Sequence, residues 1–178
     1  YDGTSWTTLT SLPSDRGMGH AFGTTTNAIV TGGRTGPPGA SNTTFQWDGT
    51  SYTSFPALST ARYNGGDGAT TSSTAGIVAG GYTTTSRTVT EEYNQSGIIT
   101  TGAAWASGGN LGTARNRIGG AGTQTAGLAF GGSVSPGGGE PTVSNLSEEY
   151  NGSSWTEGNN LGTSRYGVKG CGIQTAAL

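Results

Sequence analysis

Arg16, Arg62, Arg115 and Arg165 each stand ten residues after an aromatic residue: Trp6, Tyr52, Trp105 and Trp155. The steps between those aromatics are 46, 53 and 50 residues. A leucine precedes each arginine (Leu12, Leu58, Leu111, Leu161), and a Gly-rich run follows it. Then comes a short apolar run closed by a glycine pair: Gly32-Gly33, Gly80-Gly81 and Gly131-Gly132. The fourth copy reaches Ala176-Ala177-Leu178, where its glycine pair would come next. A period of this length makes each copy one supersecondary unit that buries its apolar face only by stacking on its neighbours.

After each glycine pair come a loop of variable length and a short segment ending in an aromatic, at Trp47, Tyr93 and Tyr150. Asp48-Gly49 and Asn151-Gly152 follow two of them and supply the positive backbone angles of tight hairpins. Apolar and aromatic runs of four to six residues, bounded by Gly, Asn and Asp, read as four short strands per copy. No segment shows a capped 3.6-residue period. The repeats run approximately 1–47, 48–94, 95–151 and 152–178.

Composition supports an all-β reading once the repeat is seen. Gly, Ser and Thr make up 85 of 178 residues, while Leu, Ile, Val and Phe make up only 24. Such a chain resembles a disordered one, but its net charge is only -2 and its aromatics recur at fixed spacing. Small residues suit strands that converge on an axis, and aromatics fill the wider space between sheets.

The Gly-Gly pair after an apolar strand, the later Glu91-Glu92-Tyr93-Asn94 and Glu148-Glu149-Tyr150-Asn151, the following Trp and the Arg ten residues on resemble the kelch repeat. The resemblance covers essentially the whole chain. It implies a kelch-like β-propeller of four-stranded blades, about three and a half of them here. It implies that Gly32, Gly33, Gly80, Gly81, Gly131 and Gly132 end second strands. It also implies that Trp6, Tyr52, Trp105, Trp155, Trp47, Tyr93 and Tyr150 pack between blades. Propellers close with about four to eight blades, so the expectation is a fragment of a longer chain with five to seven. In a variant of this reading, Tyr1 to Trp6 supply the last strand of a four-bladed ring.

The sequence offers little for catalysis. His20, the single histidine, shares its repeat slot with Gly66, Gly119 and Lys169, and Cys171 reads as a small buried residue. One cysteine excludes an internal disulfide and a cysteine-based zinc site. The repeated arginines read as structural, with Glu91 and Glu148 as candidate partners that order neighbouring blades. Paired Glu residues in a strand point to opposite faces and cannot converge on one substrate atom. The kelch-type copper enzyme galactose oxidase needs two histidines at its metal, and this chain has one. We therefore expect no cofactor and no enzyme activity. Without a basic run we expect no nucleic-acid partner, and without a long apolar stretch no membrane insertion.

Loops carry the remaining information, since binding residues concentrate on loops held by a rigid scaffold. One copy inserts Arg34 to Gly39, with Pro37 and Pro38, and another inserts Ser133 to Asn145, with Pro136 and Glu140. A third insertion lengthens a hairpin around Ile98 and Ile99. With Tyr82 these are the binding candidates. The expected function is a non-enzymatic binding or structural propeller in a virion appendage or extracellular adhesion assembly, taking a protein or glycan partner on its loop face. An intracellular, cytoplasmic kelch-type scaffold is the alternative, and an enzyme with its site on further blades is the third reading.

Overall fold

The computed structural model describes residues 3–36, 39–68, 72–95, 104–135 and 141–177. Its described elements are all β. Sheet one joins β1 (His20–Thr24), β2 (Asn27–Thr31), β3 (Thr44–Trp47) and β4 (Tyr52–Phe55) in that order. Sheet two joins β5 (Gly66–Gly68), β6 (Ala75–Ala79), β7 (Thr90–Asn94) and β8 (Ala104–Ser107) in the same way. In sheet three, β9 (Gly119–Thr123), β10 (Ala126–Phe130), β13 (Ser147–Tyr150) and β14 (Trp155–Glu157) repeat the order. The short hairpin β11 (Ser133–Val134) and β12 (Thr142–Val143) decorates the loop between β10 and β13. A last hairpin, β15 (Gly172–Ile173) and β16 (Ala176–Ala177), repeats the first two strands. Every pairing is antiparallel. The sheets are offset from the sequence repeats: each takes its fourth strand from the beginning of the next copy.

Successive sheets meet at their first strands. β1 packs on β5, β5 on β9 and β9 on β15. The approach is close enough to fix composition there. A Cβ on Gly120 would lie 2.5 Å from the carbonyl oxygen of Asp67, so β9 accepts only glycine at that contact. Farther out, the gap between sheets one and two is filled by Phe22, Ile29 and Tyr93, flanked by Phe55 and Trp105. The Phe22 ring lies 5.5 Å from that of Tyr93 and 6.4 Å from that of Trp105. Tilted and edge-on ring pairs of this kind each contribute roughly 0.5–1.5 kcal/mol beyond area burial. Between sheets two and three, Ala79, Leu111, Ile118 and Ala129 pack with Trp155.

The aromatic at or next to the end of each third strand is paired across the hairpin with the aromatic of the fourth: Trp47 with Tyr52, Tyr93 with Trp105, Tyr150 with Trp155. Trp6 departs from the expected packing role. It lies outside any described strand and is 85% exposed, so no described sheet covers its ring. Cys171 is also corrected: it is exposed, since it lies just before β15, whose hairpin has no further sheet packed over it among the described residues.

Tyr150 joins sheets two and three by donating its hydroxyl proton to Glu92 on β7. Burial pushes both Tyr93 and Tyr150 up to about 12, and Glu92 adds to the effect at Tyr150. An unfolded tyrosine titrates near 10. The unfolded chain therefore loses these protons first, and stability falls as pH rises from about 10 towards 12. Urea unfolding at pH 9, 10 and 11 is expected to show that decline, with a shallower slope in Tyr150→Phe. An identical slope in the variant would remove Tyr150 as a cause.

Candidate functional site

The repeated arginine builds the frame on which the loops sit. Arg62 takes its backbone partners from sheet one: its N–H donates to the Ser41 carbonyl at 3.1 Å, and its carbonyl accepts from Gly33 at 2.8 Å. Its side chain instead enters sheet two, where it donates to the Val89 carbonyl at 2.7 Å and pairs with Glu91. Arg115 repeats this one sheet later. Its backbone binds Arg87 and Gly81, and its guanidinium donates to the carbonyls of Gly131 and Leu146 and to Glu148 at 2.7 Å. Both arginines are fully buried, so the pairs lie out of solvent. Each arginine thus ties the loop between two sheets to both of them. Arg16 makes the equivalent bonds to the carbonyls of Gly32 and Thr43 but has Thr43 Oγ1 in place of a carboxylate. Arg165 keeps the backbone bonds, to Ser144 and Gly132, and its side chain is exposed.

The residue after each arginine pairs with the residue after each glycine pair. Gly17 bridges Arg34, Tyr63 bridges Tyr82, and Asn116 bridges Ser133. The next residue is left-handed in every copy: Met18 at φ 57°, Asn64 at 58°, Arg117 at 53° and Gly167 at 69°. These four are linked in sequence by backbone bonds. The Asn64 N–H donates to the Met18 carbonyl at 3.0 Å, the Arg117 N–H to Asn64 at 2.5 Å, and the Gly167 N–H to Arg117 at 2.8 Å. A left-handed residue other than glycine costs roughly 1–2 kcal/mol. Met18 and Arg117 carry that strain at the mouth where the sheets converge.

Two clefts open there and share Asn64 and Arg117. The first, of about 290 Å³, is lined by Tyr63, Tyr82, Asn116, Ser133, Ser135 and Pro141 with the two shared residues. The second, of about 300 Å³, is bounded by Met18, Ile118, Tyr166, Val168 and Lys169 with the same pair. Arg34 lies over the Tyr63 ring at 5.9 Å, and Arg117 over the Tyr166 ring at 5.3 Å. Deeper in, Asp67 on β5 accepts the Ala21 N–H at 3.3 Å. His20 Nδ1 is 4.0 Å from Asp67, too far for a hydrogen bond. Burial pushes the Asp67 carboxyl up, but His20, Lys169 and the Ala21 N–H outweigh it and leave it below its ordinary value.

Of the loop candidates read from sequence, Arg34 and Tyr82 stand at this mouth. Pro37, Pro38, Ile98, Ile99, Pro136 and Glu140 lie outside the described residues. Sequence reading missed Tyr63, Asn64, Asn116, Arg117 and Ser133. For the first four a signal was present, since the two slots after the repeated arginine vary from copy to copy while the arginine does not; Ser133 opens the insertion already noted from the sequence.

No family model matches the chain, and no curated protein matches it either. A solved structure does. The chain is similar in fold to YjhT, with a TM-score of 0.77 at 11% sequence identity over 95% of this chain. At that identity the likeness shows the fold alone. The chain spans 63% of the length of the YjhT chain.

Proposed function

We propose that the sheets are blades of a kelch-type β-propeller, and that the chain is a non-enzymatic binding module in an extracellular or virion assembly. The repetition of one four-stranded antiparallel order in three sheets supports the propeller, as does the meeting of successive sheets at their first strands. One observation carries the binding reading. On a single face, an invariant backbone frame presents a changing set of side chains: Gly17 and Arg34, Tyr63 and Tyr82, Asn116 and Ser133. A frame held constant under varied side chains is how a rigid scaffold serves recognition. The repeated carboxylates Glu91 and Glu148 are already engaged by Arg62 and Arg115, and Glu92 by Tyr150. The partner reached through this face is a glycan or a protein.

The test is binding of the labelled chain to a panel of intact bacterial cells. Saturable binding to at least one is expected, weakened about tenfold or more in the Arg34→Ala/Tyr82→Ala double variant. Thr26→Ala, at the hairpin turn on the opposite end of sheet one, leaves it unchanged. Equal binding by the double variant, or no binding to any cell, overturns the reading.

A further inference from the structure

We infer that the cleft between Tyr63 and Ser133 is a saccharide site; the inference rests on the loop-face reading above and names its ligand class. At about 290 Å³ the cleft is at the small end of ligand cavities, which begin at roughly 300 Å³. Its lining alternates two kinds of surface. Tyr63 and Tyr82, with ring centroids 5.6 Å apart, offer apolar faces beside phenol groups. Asn64, Asn116, Ser133, Ser135 and Arg117 offer amides, hydroxyls and a guanidinium. Sugar rings combine the same two surfaces, with C–H faces that pack on aromatics and hydroxyl edges that both donate and accept.

The polar wall is held ready. Ser86 Oγ accepts from Asn116 Nδ2 and from the Ser135 N–H, each at 2.9 Å, and donates to the Ser133 carbonyl at 3.4 Å. These bonds fix the loop without using the Ser133 hydroxyl. Ser133 is 1% exposed, and its Oγ has no partner among the described residues. A buried hydroxyl left unbonded is unfavourable, and a ligand hydroxyl that reaches it removes the deficit. Arg117 is the second sign. It holds a left-handed backbone that glycine fills in the next copy, at Gly167. Strain retained at a cleft, where a permissive residue is evidently tolerated in the same slot, points to a side chain kept for its contacts.

Other ligand classes fit less well. A peptide strand needs a free sheet edge, and the local backbone edges are taken by the Tyr63–Tyr82 and Asn116–Ser133 bridges. A nucleotide needs several cations for its phosphates, and this cleft has Arg117 alone among its described lining residues.

The test is a glycan array carrying neutral and carboxylated glycans, followed by calorimetric titration of the best free oligosaccharide. Saturable binding is expected. Ser133→Ala weakens it about fivefold with the melting temperature unchanged. Arg117→Gly weakens it about tenfold while the melting temperature holds or rises, a combination that a purely structural arginine would not give. No binding on the array, or affinities unmoved by both variants, overturns the saccharide assignment. Should the array be blank while cell binding still depends on Arg34 and Tyr82, the loop-face reading stands and its partner is a protein. Should cell binding fail too, both fall.

Discussion

Arg115→Ala will destabilise the chain by about 3–5 kcal/mol, the usual effect of removing one partner from a buried ion pair. The substitution leaves Glu148, only 6% exposed at its side chain, without its charge partner. It also strips the carbonyls of Gly131 and Leu146 of their donor. Glu148 retains the Gly112 N–H at 2.7 Å, which compensates only in part. Urea unfolding at pH 7 measures the loss. The chain contains its own control: Arg165→Ala removes the same residue from the same repeat slot where the side chain is exposed, and should cost under about 1 kcal/mol. Equal effects at the two positions would show that the buried clamp has no special weight. Replacing both members, as Arg115→Met with Glu148→Leu, should recover much of the stability, because no charge is then stranded.

The second large effect is expected at the glycine pair. Gly80→Ala meets two penalties at once. The backbone sits at φ +64°, where an L-residue is strained by roughly 1–2 kcal/mol. The new methyl would also lie 2.8 Å from the carbonyl oxygen of Arg115 and 3.0 Å from Leu111 Cδ1. That carbonyl cannot move freely, since it accepts the Gly81 N–H. We expect a loss of about 3 kcal/mol or more, in the range of incompatible backbone substitutions and overpacking combined. Gly36→Ala separates the two terms: its φ is +102°, but nothing lies within 4 Å of the added carbon. It should show the backbone penalty alone. If Gly80→Ala costs no more than Gly36→Ala, the close approach of Arg115 is not what demands glycine.

The all-β class and the four short strands of each unit were legible because both signals are local. Asp48-Gly49 and Asn151-Gly152 mark hairpins wherever they occur, and the 46- to 53-residue spacing needs no partner to be seen. The Arg–Glu pairs could be suggested because both members recur at fixed positions. The mouth could not be read in the same way. That Tyr63 meets Tyr82, or that Asn116 meets Ser133, depends on a chain reversal that brings the slot after the arginine beside the slot after the glycine pair, and neither motif states that contact. The left-handed backbone of Met18 and Arg117 was likewise hidden, because neither residue favours that conformation and only the neighbouring sheet imposes it. Trp6 and Cys171 were misjudged for a related reason. Repeat logic assigns every copy the same surroundings, and Trp6 and Cys171 do not have those of their counterparts among the described residues.

The bonds that run from Met18 through Asn64 and Arg117 to Gly167 use main-chain atoms only. They therefore make no demand on residue type beyond tolerance of one backbone conformation. A duplicated or deleted unit would find the same donor and acceptor waiting on either side. Growth of such an array by whole-unit copying needs no compensating change at the junction, while the side chains at each junction stay free to diverge. Gly17, Tyr63 and Asn116, three unlike residues in one repeat slot, are what that freedom leaves behind.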